Sequence, residues 1–538
     1  MKFQEHWKRN KYFYLLNIVF ISIEFLYLTT GGCGIFKLFN AFENEMNSES
    51  SVFVYIGQPL LAFVVQMFAG ALSDQCKSKY GRRRPFLMIG CVISVVSQLT
   101  SSLFLLWSYI IKHNENESNE KNQNENTNET ICFAFHVVCS YMNVIGFCLM
   151  KVAFRSYILD EFDSEYQYNA YCISSLAISV AQIFVALFSV ICILILSCYK
   201  NETYDFYSEK YILFESIIQI ISAVFALLSS IYFCKIATET PLTESEFIEI
   251  EEDREKYQKT HRKISHKNKF ENIMKSIKDT LFTNNSQLLS IFIVMMFGYL
   301  GAYSIDSGAF FTVSNSFYGK ETQIEKSLYL SIIFLIASIV MCIFCVFIIF
   351  IHSKNGITFF SYSFLVITIT IILIYCMEFD DGNDDKSAME WFYLCIASVP
   401  LVLSDILYAF LNAIPYALIR NVVSSTQFGI SVGFVYSGSI VGEFIVSLIF
   451  NLKTVAANNS LDITSSLNEN TVSVAENVLF TPIIYIICAC LMGFISTKLL
   501  VFKHQSTEFD DDFDDDQVMN HPLNKSNFQS ESENYDIN

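Results

Sequence analysis

The chain has 538 residues, of which 53% are hydrophobic and only 16% are charged, and its mean hydropathy is +0.39. Soluble proteins carry about 25% charged residues, so this composition excludes a disordered chain and an ordinary soluble enzyme and indicates a membrane protein. The 35 basic and 53 acidic residues give a net charge of −18, which excludes a nucleic-acid binder because phosphate contacts need a basic face.

Twelve apolar stretches are long enough to cross a bilayer, whose core of about 30 Å needs roughly 20 helical residues. In chain order we predict them at 12–36, 52–73, 86–111, 133–160, 170–197, 211–233, 288–311, 328–351, 357–377, 391–416, 428–450 and 478–500. The first is too long for a signal-peptide core and lacks a cleavage site, so we expect it to be retained. The pattern predicts an all-α membrane protein of twelve transmembrane helices.

The longest connection between predicted spans is polar and charged and divides six spans from six. We predict an N-terminal six-helix half at 1–233, a cytoplasmic linker at 234–287, a C-terminal six-helix half at 288–503 and an acidic, disordered cytoplasmic tail at 504–538. The tail holds ten acidic residues and one lysine, so half of the net negative charge lies there. Six plus six helices is the layout of two-half transporters, whose binding site lies between the halves.

Lysines and arginines cluster on one side of these spans: at the N-terminus, in the loop at 77–84 and in the linker. The excess of basic residues on the inner side of membrane proteins predicts that both termini are cytoplasmic. Sequons on the opposite side predict glycosylation at Asn116, Asn128, Asn201 and Asn458. We expect the plasma membrane by default, with an endolysosomal membrane as the alternative.

The loop between the second and third spans, residues 70–86, reads GALSDQCKSKYGRRRPF. An aspartate stands at the helix end, a glycine allows an unusual backbone angle, and three arginines precede a proline that starts the next helix. Such arginines can pair with carboxylates and helix ends in one transport state only, which predicts a gate; alternatively, they only set the topology. The residues of the predicted gate are Asp74, Gly81, Arg82, Arg83 and Arg84.

This loop resembles the S-D-R-C-x-S-x-x-G-R-R-R-P-F loop of the glycoside–pentoside–hexuronide cation symporters. That family of the major facilitator superfamily includes plant sucrose transporters and the animal solute carrier family 45. Further similarities are IEFLY at 23–27, RSYILD at 155–160, NAIPYAL at 412–418 and GISVG at 429–433. The resemblance covers both halves and implies the superfamily fold and proton-coupled sugar symport by alternating access. The chain departs from the family at Gln75, where an arginine is usual, and at Gly442-Glu443, where proline–glutamine is expected.

Ionisable residues inside spans are candidates for proton coupling, because each costs roughly 2.5 to 3.5 kcal/mol to insert. Glu24 lies near the middle of the first span; alternatively, it is a neutral carboxyl satisfied by a neighbouring helix. Asp306 lies in the first span of the second half, where a functional role and a solvated helix end are equally open. The resemblance implies that Asp160 binds the proton and that Arg155 couples it to sugar. The alternative for Asp160 is an ion pair at the inner rim.

Sugar binding would need polar groups that match hydroxyls and an aromatic face inside the bundle. The candidates are Tyr27, Gln58, Tyr299, Tyr303, Asn412 and Glu443. We find no nucleotide motif such as a Walker loop, so we expect no cofactor and a proton gradient as the driving force. The singly scattered cysteines predict no metal site. The expected partners are a small sugar, the proton and the lipid bilayer, with the chain acting as a monomer.

Two other functions remain open from the sequence. One is a carrier of another small solute or an exporter from an acidic organelle. The other is a membrane sensor or scaffold that does not transport and that signals through the linker and tail. An enzyme is not expected, because the loops contain no nucleophile–base pair or metal cluster.

Overall fold

The computed structural model describes residues 2–29, 48–118, 125–162, 164–197, 204–237, 239, 286–316, 323–350, 353–376, 386–423, 427–464 and 490–498. Within these ranges every regular element is a helix. The helices are α1 (Lys2–Tyr27), α2 (Ser48–Asp74), α3 (Arg84–Ser118), α4 (Glu125–Glu161), α5 (Ser164–Ser197), α6 (Tyr204–Ile236), α7 (Ser286–Ser316), α8 (Gln323–Phe350), α9 (Ser353–Cys376), α10 (Lys386–Ile419), α11 (Phe428–Thr464) and α12, described at 490–498. The predicted all-α architecture is confirmed.

Most of these helices are apolar enough to cross a membrane. Among the described residues, seven qualify fully by length and composition, namely Arg84–Trp107, Ala134–Glu161, Tyr166–Leu196, Leu213–Ile236, Ser331–Phe350, Val402–Ile419 and Phe428–Leu448. Three shorter apolar helices are Tyr12–Tyr27, Gln287–Tyr303 and Gly356–Ile369. A helix satisfies its backbone hydrogen bonds internally, which a chain surrounded by hydrocarbon requires.

Several helices are longer than the apolar runs that predict them. α1 already begins at Lys2, α3 continues to Ser118 and α11 to Thr464. Hydropathy marks only the apolar part of a helix, and an established helix propagates into polar residues at little cost. Residues 30–36 of the first predicted span, most of the predicted linker and the whole tail at 504–538 lie outside the described residues.

The helices form two halves, α1–α6 and α7–α12. The halves meet chiefly where α2 packs on α11 and α5 packs on α8, with further contacts from α5 to α10 and from α4 to α11. Exchanging each helix with its counterpart six positions along the chain converts the α2–α11 pair into the α8–α5 pair. This is the symmetry expected of two structural repeats with a site between them. The predicted two-half fold is confirmed.

Candidate functional site

Two buried basic residues, Lys151 and Arg155, lie one turn apart on α4. The ammonium of Lys151 is 2.7 Å from a carboxylate oxygen of Glu24 on α1. It also lies 4.6 Å from the centre of the Tyr436 ring on α11 and 4.8 Å from that of Phe147, distances at which an aromatic face attracts a cation. Removing either member of such a buried ion pair would leave an uncompensated charge, so the two side chains depend on each other.

The Arg155 side chain connects the two halves and is fully buried. Its Nη1 donates to the backbone carbonyl of Asn412 at 3.0 Å, and its Nη2 donates to the Oδ1 of the same residue at 2.9 Å. The Tyr299 hydroxyl donates to this Oδ1 at 3.2 Å, and the guanidinium lies 3.7 Å from the centre of the Tyr416 ring. Within the described residues no carboxylate pairs with Arg155, so its charge is held by neutral groups.

Further side chains from both halves surround this pair of basic residues. Tyr27 stacks on Phe147 with ring centres 4.2 Å apart and lies within electrostatic range of Tyr303. Glu443, partly exposed on α11, interacts electrostatically with Lys151 and Glu24. We call the set the central cluster: Glu24, Tyr27, Lys151, Arg155, Tyr299, Asn412, Tyr416, Tyr436 and Glu443.

A second group of charges lies at the end of the bundle that carries the arginine loop, here called the basic end. Arg83 is fully buried, with its Nη2 2.7 Å from Asp74 and its Nε 2.7 Å from Asp160. Arg82 contributes a third ion pair, 2.8 Å from Asp160. Burial alone would lower the pKa of Arg83, but the carboxylates of Asp160 and Asp74 outweigh it and raise the pKa above its ordinary value. The guanidinium therefore stays charged.

Asp74 joins the halves by capping a helix of the other half. Its two carboxylate oxygens accept the backbone N–H groups of Gly429 and Ile430, each at 2.9 Å. These N–H groups belong to the first turn of α11, where the positive end of the helix dipole favours an anion. The backbones touch beside this cap, since a Cβ on Gly70 would lie 2.2 Å from the carbonyl oxygen of Gly429. Glycine is therefore required at this crossing of α2 and α11.

Glu239, which the sequence analysis missed, holds the arginine loop in shape. Its carboxylate accepts the backbone N–H groups of Arg82 at 2.6 Å, Arg83 at 2.7 Å and Arg84 at 3.2 Å, at the start of α3. The turn before it has Gly81 at φ +99°, as predicted. Burial raises the pKa of Glu239, and the backbone hydrogen bonds of the loop oppose that rise. An acid directly after a span, on the same side as an arginine loop, was the available signal.

A further contact across the halves closes the basic end. Arg420 at the end of α10 donates to the carbonyl of Leu159 in the last turn of α4 and to that of Phe162 directly after α4. Together with the Asp74 cap, this contact holds the two halves together on this side. We call Asp74, Arg82, Arg83, Asp160 and Glu239 the gate cluster. The gate cluster forms although position 75 is a glutamine, where the symporters that the loop resembles usually have an arginine.

The structure places Asp160 and Arg155 in different clusters. Asp160 lies in the gate cluster with Arg82 and Arg83, whereas Arg155 lies in the central cluster, about 7.5 Å away along α4. Five residues of helix also rotate the two side chains by about 140°, so they face different neighbours. Asp160 makes ion pairs with Arg82 and Arg83, as the alternative expectation has it, and its role in proton binding stays a prediction.

The other predicted residues are not placed with either cluster. Gln58 lies on α2, and its amide nitrogen has no hydrogen-bond partner in the described part of the chain. Asp306, Asn116, Asn128 and Asn458 lie on described helix backbones, but their side chains are outside the description. Asn201 is outside the described residues altogether.

Known proteins share this fold over nearly the whole chain. The transporter FucP, solved in an outward conformation, is 12% identical with a TM-score of 0.55, covering 91% of this chain and 98% of its own. The proton:xylose symporter XylE, bound to 6-bromo-6-deoxy-D-glucose, is 12% identical with a TM-score of 0.53, covering 91% and 95%. At these identities the likeness shows the fold.

The sequence similarity to curated proteins is local. The sucrose transport protein SUT4 of rice, Oryza sativa subsp. indica, is 51% identical over 41 residues, which make up 8% of this chain and 7% of the rice protein. The family model of the Major Facilitator Superfamily, in contrast, matches residues 19–447. This match includes both halves and both clusters. The chain therefore belongs to the Major Facilitator Superfamily and is a multi-pass membrane transporter, not an enzyme.

Proposed function

We propose that this transporter is a proton-coupled sugar symporter that works by alternating access. The observation that carries the proposal is the central cluster, which places an ion pair and a buried arginine where the two halves meet. Buried charges at this depth are costly and mark substrate or ion pathways. Two similar proteins support the substrate class, since one is named a sucrose transport protein and the other a proton:xylose symporter.

The polar groups of the central cluster suit a sugar. In the described conformation Arg155 and Asn412 satisfy each other, and a pair of neighbouring sugar hydroxyls can replace that contact with one acceptor and one donor. The guanidinium offers parallel donors, and the rings of Tyr27 and Tyr416 offer apolar faces for the carbon skeleton of a sugar. Binding would thus exchange a contact between the halves for contacts with substrate.

Breaking and re-forming the contacts of the gate cluster would open and close the basic end during alternating access. The described conformation is closed at the basic end by Asp74 and Arg420, and these contacts must break before substrate can leave on that side. Following the distribution of basic residues, we take the basic end as cytoplasmic, with both termini inside. The plasma membrane is the proposed location, a monomer the proposed unit, the proton gradient the driving force and the four sequon asparagines the external glycosylation sites.

Transport by purified protein in liposomes tests the proposal. Labelled sucrose and glucose, within a panel that includes amino acids and organic acids, should accumulate against their gradients only when the proton gradient points inward. A protonophore should abolish accumulation, and protein-free liposomes provide the background. If no sugar in the panel crosses, with or without the gradient, the proposal is wrong; uptake of another solute would identify a different cargo.

Replacing Asp160 by asparagine should slow transport without changing its dependence on pH. The substitution weakens ion pairs to Arg82 and Arg83, so the closed gate is less stable and net uptake should fall about three- to tenfold, or roughly 1 kcal/mol. Initial rates between pH 5 and pH 8 provide the measurement. A flat pH profile in this variant would instead show that Asp160 carries the proton.

A further inference from the structure

Glu443 is a second carboxylate that faces the ammonium of Lys151, and it comes from the opposite half to Glu24. It stands seven residues after Tyr436, hence on the same face of α11, and the ring of Tyr436 lies 4.6 Å from that ammonium. Lys151 and Glu443 are close enough for direct electrostatic interaction. Within the described part of the chain, however, Glu24 is the only carboxylate within ion-pair distance of Lys151. Two carboxylates from different halves thus share one ammonium.

Among the described residues, Lys151 is the one cation that interacts electrostatically with Glu443. The side chains that interact with it electrostatically are Glu24 and Tyr27 of α1, Cys148 and Lys151 of α4, Tyr299 of α7 and Tyr416 of α10. α2, which also packs along α11, has no charged residue between Gly57 and Ser73. Because Lys151 is already paired with Glu24, an ionised Glu443 would lie beside another carboxylate with no cation of its own.

We propose that Glu443 carries the coupled proton. Lys151 changes its ion-pair partner when Glu443 gains or loses that proton and so couples the protonation of Glu443 to the movement of the halves. This inference rests on the proposed function of proton-coupled transport. With Glu443 protonated, the ammonium pairs with Glu24 inside the N-terminal half, as observed. When the carboxyl O–H bond breaks and the proton passes to water, the ionised Glu443 attracts the ammonium and ties α4 to α11. A proton is the only species transferred.

The geometry explains why Glu443 and not Glu24 has this role. Glu24 is buried and its carboxylate lies 2.7 Å from the Lys151 ammonium, so it already has a partner in the described conformation. Glu443 is partly exposed and so can exchange its proton with water. The lysine side chain is long and flexible. The protonation of Glu443 therefore determines whether Lys151 pairs with Glu24 within one half or with Glu443 across the two halves.

The transport test uses Glu443→Gln, which imitates the protonated carboxyl. We expect the ratio of sugar-evoked proton movement to sugar counterflow to fall at least tenfold in this variant relative to the wild type, and the pH profile to become flat. Glu443→Asp should restore coupling, which a merely structural role would not explain. Glu215→Gln, a buried carboxyl on α6 outside the central cluster, is the matched control and should keep wild-type coupling. Wild-type proton movement in Glu443→Gln would overturn the inference.

A second measurement needs no sugar and so separates this inference from the proposed function. Spin labels at Val138 on α4 and Ile336 on α8, both exposed, report the distance between the halves. The distance distribution should shift between pH 5 and pH 8 in the wild type and stay constant in Glu443→Gln. A shift without sugar transport would disprove the sugar proposal alone. If the wild-type distance distribution is the same at pH 5 and pH 8, or if the shift in distance persists in Glu443→Gln, the role of Glu443 is disproved.

Discussion

Replacing Arg155 by alanine should lower sugar uptake at least 100-fold while the protein still reaches the membrane. Arg155 makes two hydrogen bonds across the halves to Asn412, and we propose that the same donors hold the substrate. Hydrogen bonds from a charged group contribute about 1.5 to 3 kcal/mol each, and every 1.4 kcal/mol is about tenfold in binding. Arg155→Lys should lose at least tenfold, because an ammonium keeps the charge but cannot present two parallel donors.

Initial uptake rates in liposomes, normalised to the amount of reconstituted protein, measure this effect. Lys498→Ala is the matched control, since this lysine of α12 packs on the rings of Tyr362 and Phe494, away from the central cluster. It should transport within about twofold of the wild type. Wild-type uptake by Arg155→Ala would mean that the substrate binds elsewhere, and the assignment of the central cluster would fail.

Replacing Asp74 by alanine should shift the protein from a closed to an open basic end. The change removes the cap on α11 and an ion pair with the fully buried Arg83. Breaking a buried pair by removing one partner costs about 3 to 5 kcal/mol, enough to invert a population that favours the closed state. Accumulation of substrate should fall at least tenfold, because a gate that does not close lets it leak back.

Distances between spin labels at Tyr80 in the arginine loop and Phe347 on α8, both exposed, measure the opening. An unnatural amino acid should carry each label, because the chain has 16 cysteines. The main distance in Asp74→Ala should exceed that of the wild type. Lys79→Ala, an exposed change in the same loop, should leave the distribution unchanged. A wild-type distribution in Asp74→Ala would contradict the gate.

The helices and the arginine loop could be predicted because their causes are local. Apolar runs identify the spans, and the loop motif identifies a turn that needs Gly81 and an acid, Asp74, at a helix end. The position of Glu24 at the middle of a span also marks it as important, since hydropathy alone shows a charge where lipid would exclude it.

The pairings could not be predicted, because they depend on how distant helices pack. Lys151 pairs with Glu24 on another helix, and Arg155 donates hydrogen bonds to Asn412 in the other half, 257 residues along the chain. The helical rotation of about 140° between Arg155 and Asp160 indicates from the sequence that they do not pair well with each other, but it does not identify the partners that place them in different clusters. The hydrogen bonds from the arginine loop to Glu239 were not predicted either, because nothing in the sequence places the end of α6 against the start of α3.

The central claim is that the proton is coupled at the centre of the bundle and not at the gate. The most direct test measures proton and labelled-sugar fluxes together in liposomes that contain the wild type or Asp160→Asn. We expect about one proton per sugar in both, with lower rates for the variant. A wild type that moves sugar without protons, or an Asp160→Asn variant that exchanges sugar and moves no protons, would contradict this account.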